Sequence, residues 1–234
     1  MADETAVVVG VGPGLGLALV KAFAKEGYKV LAAARKASAL TELSAASPEA
    51  RVTPVDVDAT QPAQVDQLFA RAEREGPVRV AIFNAGTFQR ATVTETDPEQ
   101  FERCWRLGSF GGFLVGRAAA RLMAGRGAGT ILFTGATASL RGGAGFVNLA
   151  SPKFALRAVA QSMARELGPQ GIHVAHVIID GQIRSARYAH LLTERGPDSL
   201  LEPSAIADTY VMLHRQHRSA WTHELDLRPW SEKF

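Results

Sequence analysis

Val9-Gly10-Val11-Gly12-Pro13-Gly14-Leu15-Gly16 joins a β-branched run, Thr5 to Val9, to an apolar, helically spaced segment, Leu15 to Lys25. The pattern is strand, tight turn, helix. Glycines crowd such a turn because a Cβ would block the approach of a ligand to the backbone. The amides and dipole at the helix start favour a diphosphate there. The spacing is Gly-x-x-x-Gly-x-Gly from Gly10, Gly14 and Gly16, whereas Gly-x-Gly-x-x-Gly started at Gly10 fails at Leu15. A turn made of glycine for purely steric reasons would look the same, so the surroundings must decide.

Those surroundings repeat the unit. Lys29 to Ala34 reads as a strand, Leu40 to Ala46 as a helix, Val52 to Val57 as a strand, Pro62 to Glu75 as a helix and Val78 to Phe83 as a strand. Beyond them come a helical stretch around Pro98 to Met123, the strand Thr130 to Thr134, a helix from about Ser151 to Leu167 and the strand His173 to Ile179. Ala220 to Leu225 is the candidate seventh strand. Alternation of this kind predicts an α/β fold, a Rossmann-type doubly wound parallel sheet in a single domain over residues 1–234. Gly181 to Pro203 is the least regular stretch, either a lid or a plain surface connection.

Composition narrows the function classes. The chain has 234 residues, 47% hydrophobic and 21% charged, enough to bury a substantial core. Its 26 basic and 23 acidic residues leave +3 with no clustered basic tract, which argues against nucleic acid as a partner. Arg117 and Arg121 interrupt the most apolar helical stretch, so no membrane span is expected. One cysteine, Cys104, cannot form an intramolecular disulfide, and Met1-Ala2-Asp3-Glu4 is no signal sequence; the expectation is a cytoplasmic protein. No metal site is expected: His173 and His176 fall on opposite faces of a strand, and His214 and His217 lie on a polar stretch without acidic or cysteine partners. No Gly-x-Ser-x-Gly elbow is present, and Cys104 beside Trp105 reads as a buried structural thiol.

Two features sharpen the glycine-loop reading. Ala34-Arg35-Lys36 closes the second strand where a dinucleotide site for NAD commonly has an acid on the ribose. Cations there suit a 2′-phosphate, so NADP(H) is favoured over NAD(H), although surface cations at a helix start are the plain alternative. Asp56-Val57 and Asn84-Ala85-Gly86 end the third and fourth strands, where ligands bind in open α/β sheets.

With these residues the chain resembles the short-chain dehydrogenase/reductase family over nearly its whole length. The resemblance is carried by Gly10-x-x-x-Gly14-x-Gly16, Asp56-Val57, Asn84-Ala85-Gly86, Arg165-Glu166-Leu167 leading into Gly171-Ile172-His173-Val174, and Lys153. It implies a nicotinamide cofactor laid across the strand ends, held by Gly10, Gly12, Gly14, Leu15, Gly16, Arg35, Lys36, Asp56, Val57, Asn84, Ala85, Gly86, Lys153, Gly181 and Ile183. It also implies a homodimer or homotetramer built through two long helices, with the small residues Gly111, Gly112, Gly116, Ala118, Ala119 and Ala120 as mild support. The substrate is a small molecule that the sequence does not name.

The family's catalytic tyrosine precedes the lysine by four residues, and that slot holds Leu149. Its serine slot holds Ala136 and its asparagine slot Gly108, leaving only Lys153 of the four. Leucine and alanine can neither protonate nor hydrogen-bond a developing alkoxide. A general acid is typically worth roughly 10² to 10⁴ in rate and an oxyanion donor roughly 10² to 10³. Two expectations follow, an NADP-dependent oxidoreductase with an atypical proton donor or a dinucleotide-binding protein without catalysis. Thr134, Thr137, Ser139, Asn148, Ser151, Tyr188 and His190 are the candidate replacement donors, each with a plainer reading; Ser151 ahead of Pro152 is a natural N-cap. Asp180-Gly181 stands where the family usually has Pro-Gly, and Asp180 is expected to bond the turn backbone. In the family pose, Phe88, Gln89, Ala136, Phe146 and the Arg184 to Leu192 loop line a partly apolar substrate pocket.

Overall fold

Thr5–Val9 (β1) alternates its side chains between two cores: Val7 and Val9 enter one apolar cluster, Ala6 and Val8 the other. Such a strand is covered on both faces and sits mid-sheet. The computed structural model describes residues 4–40, 43 and 51–232. Around β1 lie Lys29–Ala34 (β2), Val52–Asp56 (β3), Val78–Phe83 (β4), Gly129–Thr134 (β5), Ile172–Ile179 (β6) and Glu224–Leu227 (β7). The order is β3-β2-β1-β4-β5-β6-β7, every neighbouring pair parallel. The winding reverses between β1 and β4, which opens a crevice at their carboxyl ends.

Leu15–Lys25 (α1) and Pro203–Arg215 (α7) cover one face, with Leu19, Phe23, Ile206 and Tyr210 fully or almost fully buried. Pro62–Glu75 (α2), Gly111–Ala124 (α4) and Val147–Leu167 (α5) cover the other. Pro98–Trp105 (α3) is capped by Asp97, whose side chain accepts from the amides of Glu99 and Gln100.

Several sequence expectations shift. The stretch from Pro98 is not one helix: a π-helical turn, Arg106–Phe110, separates α3 from α4. Helix α5 begins at Val147, with Pro152 inside it, so Ser151 is no N-cap; the turn forms earlier because the Leu149 and Ala150 amides bond the Phe146 carbonyl. β7 starts at Glu224, four residues later than expected, because Arg218–Ala220 forms a 3-10 turn. Helix α7 was not anticipated, although Pro203 at its start and Ile206, Tyr210 and Leu213 at helical spacing mark it. Gly181 to Pro203 holds a short helix, Ala189–Arg195 (α6), and is tied down by an Ile183–Leu201 bridge. The expected helix Leu40 to Ala46 falls mostly outside the described residues.

The small residues of α4 pack inward. A Cβ on Gly112 would lie 2.3 Å from Leu156 Cδ1, and one on Gly116 would lie 2.7 Å from Met163 Sδ. They let α5 approach α4 within the chain, so they lend no support to assembly. Among the described residues no helix is long and apolar enough to cross a membrane, and no group of three or more His, Cys, Asp or Glu could hold a metal ion.

Candidate functional site

The glycines of the β1–α1 loop divide by what surrounds them. Gly10 has φ +96°, and a Cβ there would lie 2.3 Å from the Ala85 nitrogen; on Gly16 it would lie 2.7 Å from the Gly10 oxygen. These two are required by the fold itself. Gly12 and Gly14 have nothing within 4 Å of an added Cβ, so their bareness leaves open space over the start of α1. That cradle fits a diphosphate on backbone amides. Asn84 braces it, its Nδ2 donating to the Gly10 carbonyl at 3.0 Å and its backbone N to Val9 O at 2.7 Å. Leu15 is buried in the core behind the loop.

Next to the loop lies a crevice of about 220 Å³ lined by Val9 to Gly12, Ala34, Arg35, Val57, Ala59, Asn84 to Gly86 and Leu107. A second cavity of about 360 Å³, lined by Arg35, Asp58, Thr60, Thr87, Gln100, Arg103, Arg106 and Leu107, shares Arg35 and Leu107 with it. Arg35 therefore faces both; Lys36 lines neither. Asp56, singled out from the sequence, lines neither as well: its carboxylate accepts from the Ser38 amide at 2.9 Å and the Ser38 hydroxyl at 2.8 Å, which hold it below the usual carboxylate range. Asp58 is the carboxylate on the cavity wall, its Oδ1 accepting from Thr60 N and Oγ1. Sequence reasoning passed over Asp58, Ala59 and Leu107; the Asp56-x-Asp58 doublet was the available signal.

At the other end, Lys153 is buried on α5 and its Nζ donates to the Thr134 carbonyl at 2.6 Å. A Cβ on Gly86 would lie 3.9 Å from Nζ, so this ammonium stands between the carboxyl ends of β4 and β5. Burial pulls its pKa down to about 8. Leu149 sits one helical turn before it. The side-chain space at Gly108 is occupied: a Cβ there would lie 2.9 Å from Pro152 Cβ.

The candidate replacement donors are mostly engaged elsewhere. Thr134 Oγ1 bonds the buried Tyr210 hydroxyl at 2.8 Å. Ser139, fully buried, accepts from the Ala136 amide at 3.1 Å and faces His176 Nε2 at 3.4 Å. His176 faces Glu224 at 3.4 Å through Nδ1, and Arg157 holds Glu224 with two bonds of 2.7 Å. Burial drives the His176 pKa down to about 4, so the ring is neutral. Asn148 Nδ2 donates to the Gln89 carbonyl at 3.2 Å, and His190 is exposed on α6. Asp180 does not serve the turn backbone as expected. Its carboxylate accepts from Thr137 Oγ1 and pairs with Arg228 at 3.2 Å, because it is buried and needs charged and hydroxyl partners. Gly181 (φ +146°) packs a hypothetical Cβ 2.8 Å from Pro229 Cδ, and Ile183 pairs with Leu201.

Over this end, Phe88 and Phe146 stack at 4.9 Å with Arg90 above Phe146 at 5.4 Å, which joins the loops after β4 and β5.

The sequence profile of the short chain dehydrogenase family matches residues 4–191. The chain belongs to that family. Members of this short-chain dehydrogenase family bind a nicotinamide dinucleotide. A 3alpha-hydroxysteroid dehydrogenase of Mediterraneibacter gnavus is 30% identical over 206 residues, 86% of this chain and 80% of that protein. The crystal structure of a short-chain dehydrogenase from Rhodopseudomonas palustris is 39% identical, covers 98% of this chain and 100% of that one, and superposes with a TM-score of 0.84. ElxO with NADP bound superposes at 0.86 over 97% of this chain and 98% of that one; at 18% identity that likeness is one of fold.

Proposed function

We propose that this short-chain dehydrogenase uses NADP(H) to interconvert a carbonyl and an alcohol on a small, partly apolar molecule. The observation that carries the reading is the buried Lys153 ammonium facing Gly86 at the strand ends, opposite a glycine cradle left open at Gly12 and Gly14. The dinucleotide, when bound, supplies or accepts a hydride at a carbon. The chain's part is to hold it and to move a proton. The open amides of the loop take the diphosphate. Arg35, at the wall of both cavities, forks onto a 2′-phosphate; Asp56 is held away by Ser38, and the Asp58 carboxylate on the same wall is engaged by Thr60. After its bond to Thr134, Lys153 retains N–H donors for a ribose hydroxyl. With its pKa near 8, it also holds a proton at neutral pH that it can release to a forming alkoxide more readily than an ordinary lysine. Phe88 and Phe146 give the pocket its apolar side.

One observation favours a second reading, a dinucleotide-binding sensor or partner subunit without turnover: Pro152 fills the space at Gly108 as Leu149 and Ala136 remove the phenol and hydroxyl. Assembly as a homodimer or homotetramer is part of the proposal, through the aromatic row of Trp105 at the end of α3, Phe110 in the π-helical turn and Phe113 on α4. The test is consumption of NADPH with a panel of ketones and aldehydes, in the wild type and in Lys153→Met. Turnover in the wild type with a loss of 10²-fold or more in the variant supports the first reading. NADPH binding without turnover on any carbonyl supports the second.

A further inference from the structure

The end of the sheet opposite the glycine loop carries a cavity of about 390 Å³. Its walls are Arg79 at the start of β4, Thr130 of β5, Gly171 just before β6, His173 of β6, and His214 to Arg218 at the end of α7 and beyond, with Trp221. Among the described residues, three arginines and three histidines line it and no acidic residue does. For a chain whose whole excess is +3, this is a concentrated patch.

The cations differ in what holds them. Arg79 pairs with Glu4 at 3.1 Å and Arg215 pairs with Glu26, both carboxylates lying outside the lining. Arg218 has no hydrogen-bond or ion-pair partner among the described residues. Its guanidinium leans on Gly171, where a Cβ would lie 3.4 Å from Nη2. The loop that presents it is braced: Gln216 bonds Thr222 through both amide atoms at 2.8 and 2.7 Å, and Trp221 Nε1 donates to the Gln216 carbonyl at 3.2 Å. Trp221 in turn stacks flat on the buried His173, 5.0 Å between centroids and 1° between planes, while His173 Nε2 bonds the Thr222 carbonyl at 2.7 Å. A guanidinium without a counter-ion on a loop fixed in advance is what an anion site requires, because little ordering is left to binding.

We propose that this cavity is a second ligand site, for a compact oxyanion with two or more negative charges, such as the phosphoryl end of a small metabolite. Arg218 supplies the uncommitted fork, Arg79 and Arg215 the surrounding field. His214 adds no charge: burial drives its pKa to about 4, and it is held between Tyr28 Oη and Thr130 Oγ1 at 2.7 and 2.8 Å. A six-residue strand separates the two ends of the sheet by about 20 Å, so the site is distinct from the dinucleotide crevice and does not rest on the function proposed for it.

The probe is inorganic pyrophosphate, titrated calorimetrically at low ionic strength into the wild type, Arg218→Gln and Arg35→Gln. Arg218 is exposed and unpartnered, so its variant keeps the fold. The expected result is saturable binding that weakens at least tenfold in Arg218→Gln and is unchanged in Arg35→Gln. Absence of saturable binding in the wild type, or equal binding in Arg218→Gln, overturns the site. Loss in Arg35→Gln with retention in Arg218→Gln overturns it too, by placing the anion in the dinucleotide crevice.

Discussion

The carboxyl ends of β1 and β2 and those of β5 and β6 lie along the same edge of the parallel sheet, yet they have been treated differently. On the first side, Gly10 and Gly16 meet the steric needs of the β1–α1 turn, Gly12 and Gly14 leave its outer face bare, and Asn84 braces it. On the second, Leu149 and Ala136, at the positions we propose as the phenol and hydroxyl slots, carry no hydroxyl, and the surrounding hydroxyls are occupied by Tyr210, Asp180 and His176. On the function proposed above, the contrast teaches that holding a dinucleotide and moving a proton are separable demands on this fold. The first is met mainly by backbone shape, the second by a few side-chain atoms that can be exchanged without disturbing the sheet. Lys153 belongs to both sides, which is why its retention carries weight.

The glycine loop offers the largest expected effects. Gly10→Val puts a β-branched side chain at φ +96° and a Cβ 2.3 Å from Ala85 N, so it should destabilise the protein by about 4 kcal/mol or more. Gly12→Val meets open space, so it should leave thermal stability within about 0.5 kcal/mol and weaken NADPH binding by roughly 10²-fold or more. Equal stability losses in a denaturant titration would erase the distinction between fold glycines and ligand glycines.

Acid stability tests the other side at His176, and the opposite end of the sheet at His214. His176 and His214 are held neutral by burial, each with a pKa near 4 against about 6.5 when unfolded. The unfolded chain therefore binds more protons between those values, and stability falls as the pH is lowered through that window. The loss approaches about 3 kcal/mol for each histidine by pH 4 and is absent above about pH 7. Chemical denaturation at pH 7.5 and 4.5 measures it; a flat profile would show that these rings are not buried as neutral species.

Restoring the reaction side is the next effect in size. Ala136→Ser with Leu149→Tyr should fold normally and introduce or raise carbonyl reduction if the dinucleotide takes the family pose. Adding Gly108→Asn should cost about 1–3 kcal/mol through collision with the Pro152 Cβ. No gain in reduction by the double variant with NADPH bound would count against that pose.

Much of this architecture was legible in the sequence because it is written in periodicity. β1, β2, β4, α1 and α2 fall where apolar spacing and strand–helix alternation place them. The misreadings share a cause, dependence on distant contacts. Asp56 and Asp58 are two residues apart, but Asp56 ends β3 and is held by Ser38, while Asp58 lies in the next loop and is held by Thr60 on the cavity wall. Asp180 reads as a turn residue until Arg228 and Thr137 arrive from elsewhere in the chain. The inward packing of Gly112 and Gly116 depends on Leu156 and Met163, which local pattern cannot assign. Pro152 opposite Gly108 is likewise a contact between two helices, invisible along either one.

Calorimetric titration of the purified protein with NADPH and, separately, with NADH tests the central claim most directly. Saturable NADPH binding, with NADH at least tenfold weaker and the difference abolished in Arg35→Ala, is the result the account predicts. Binding of neither dinucleotide, or NADH bound as tightly as NADPH, would contradict it.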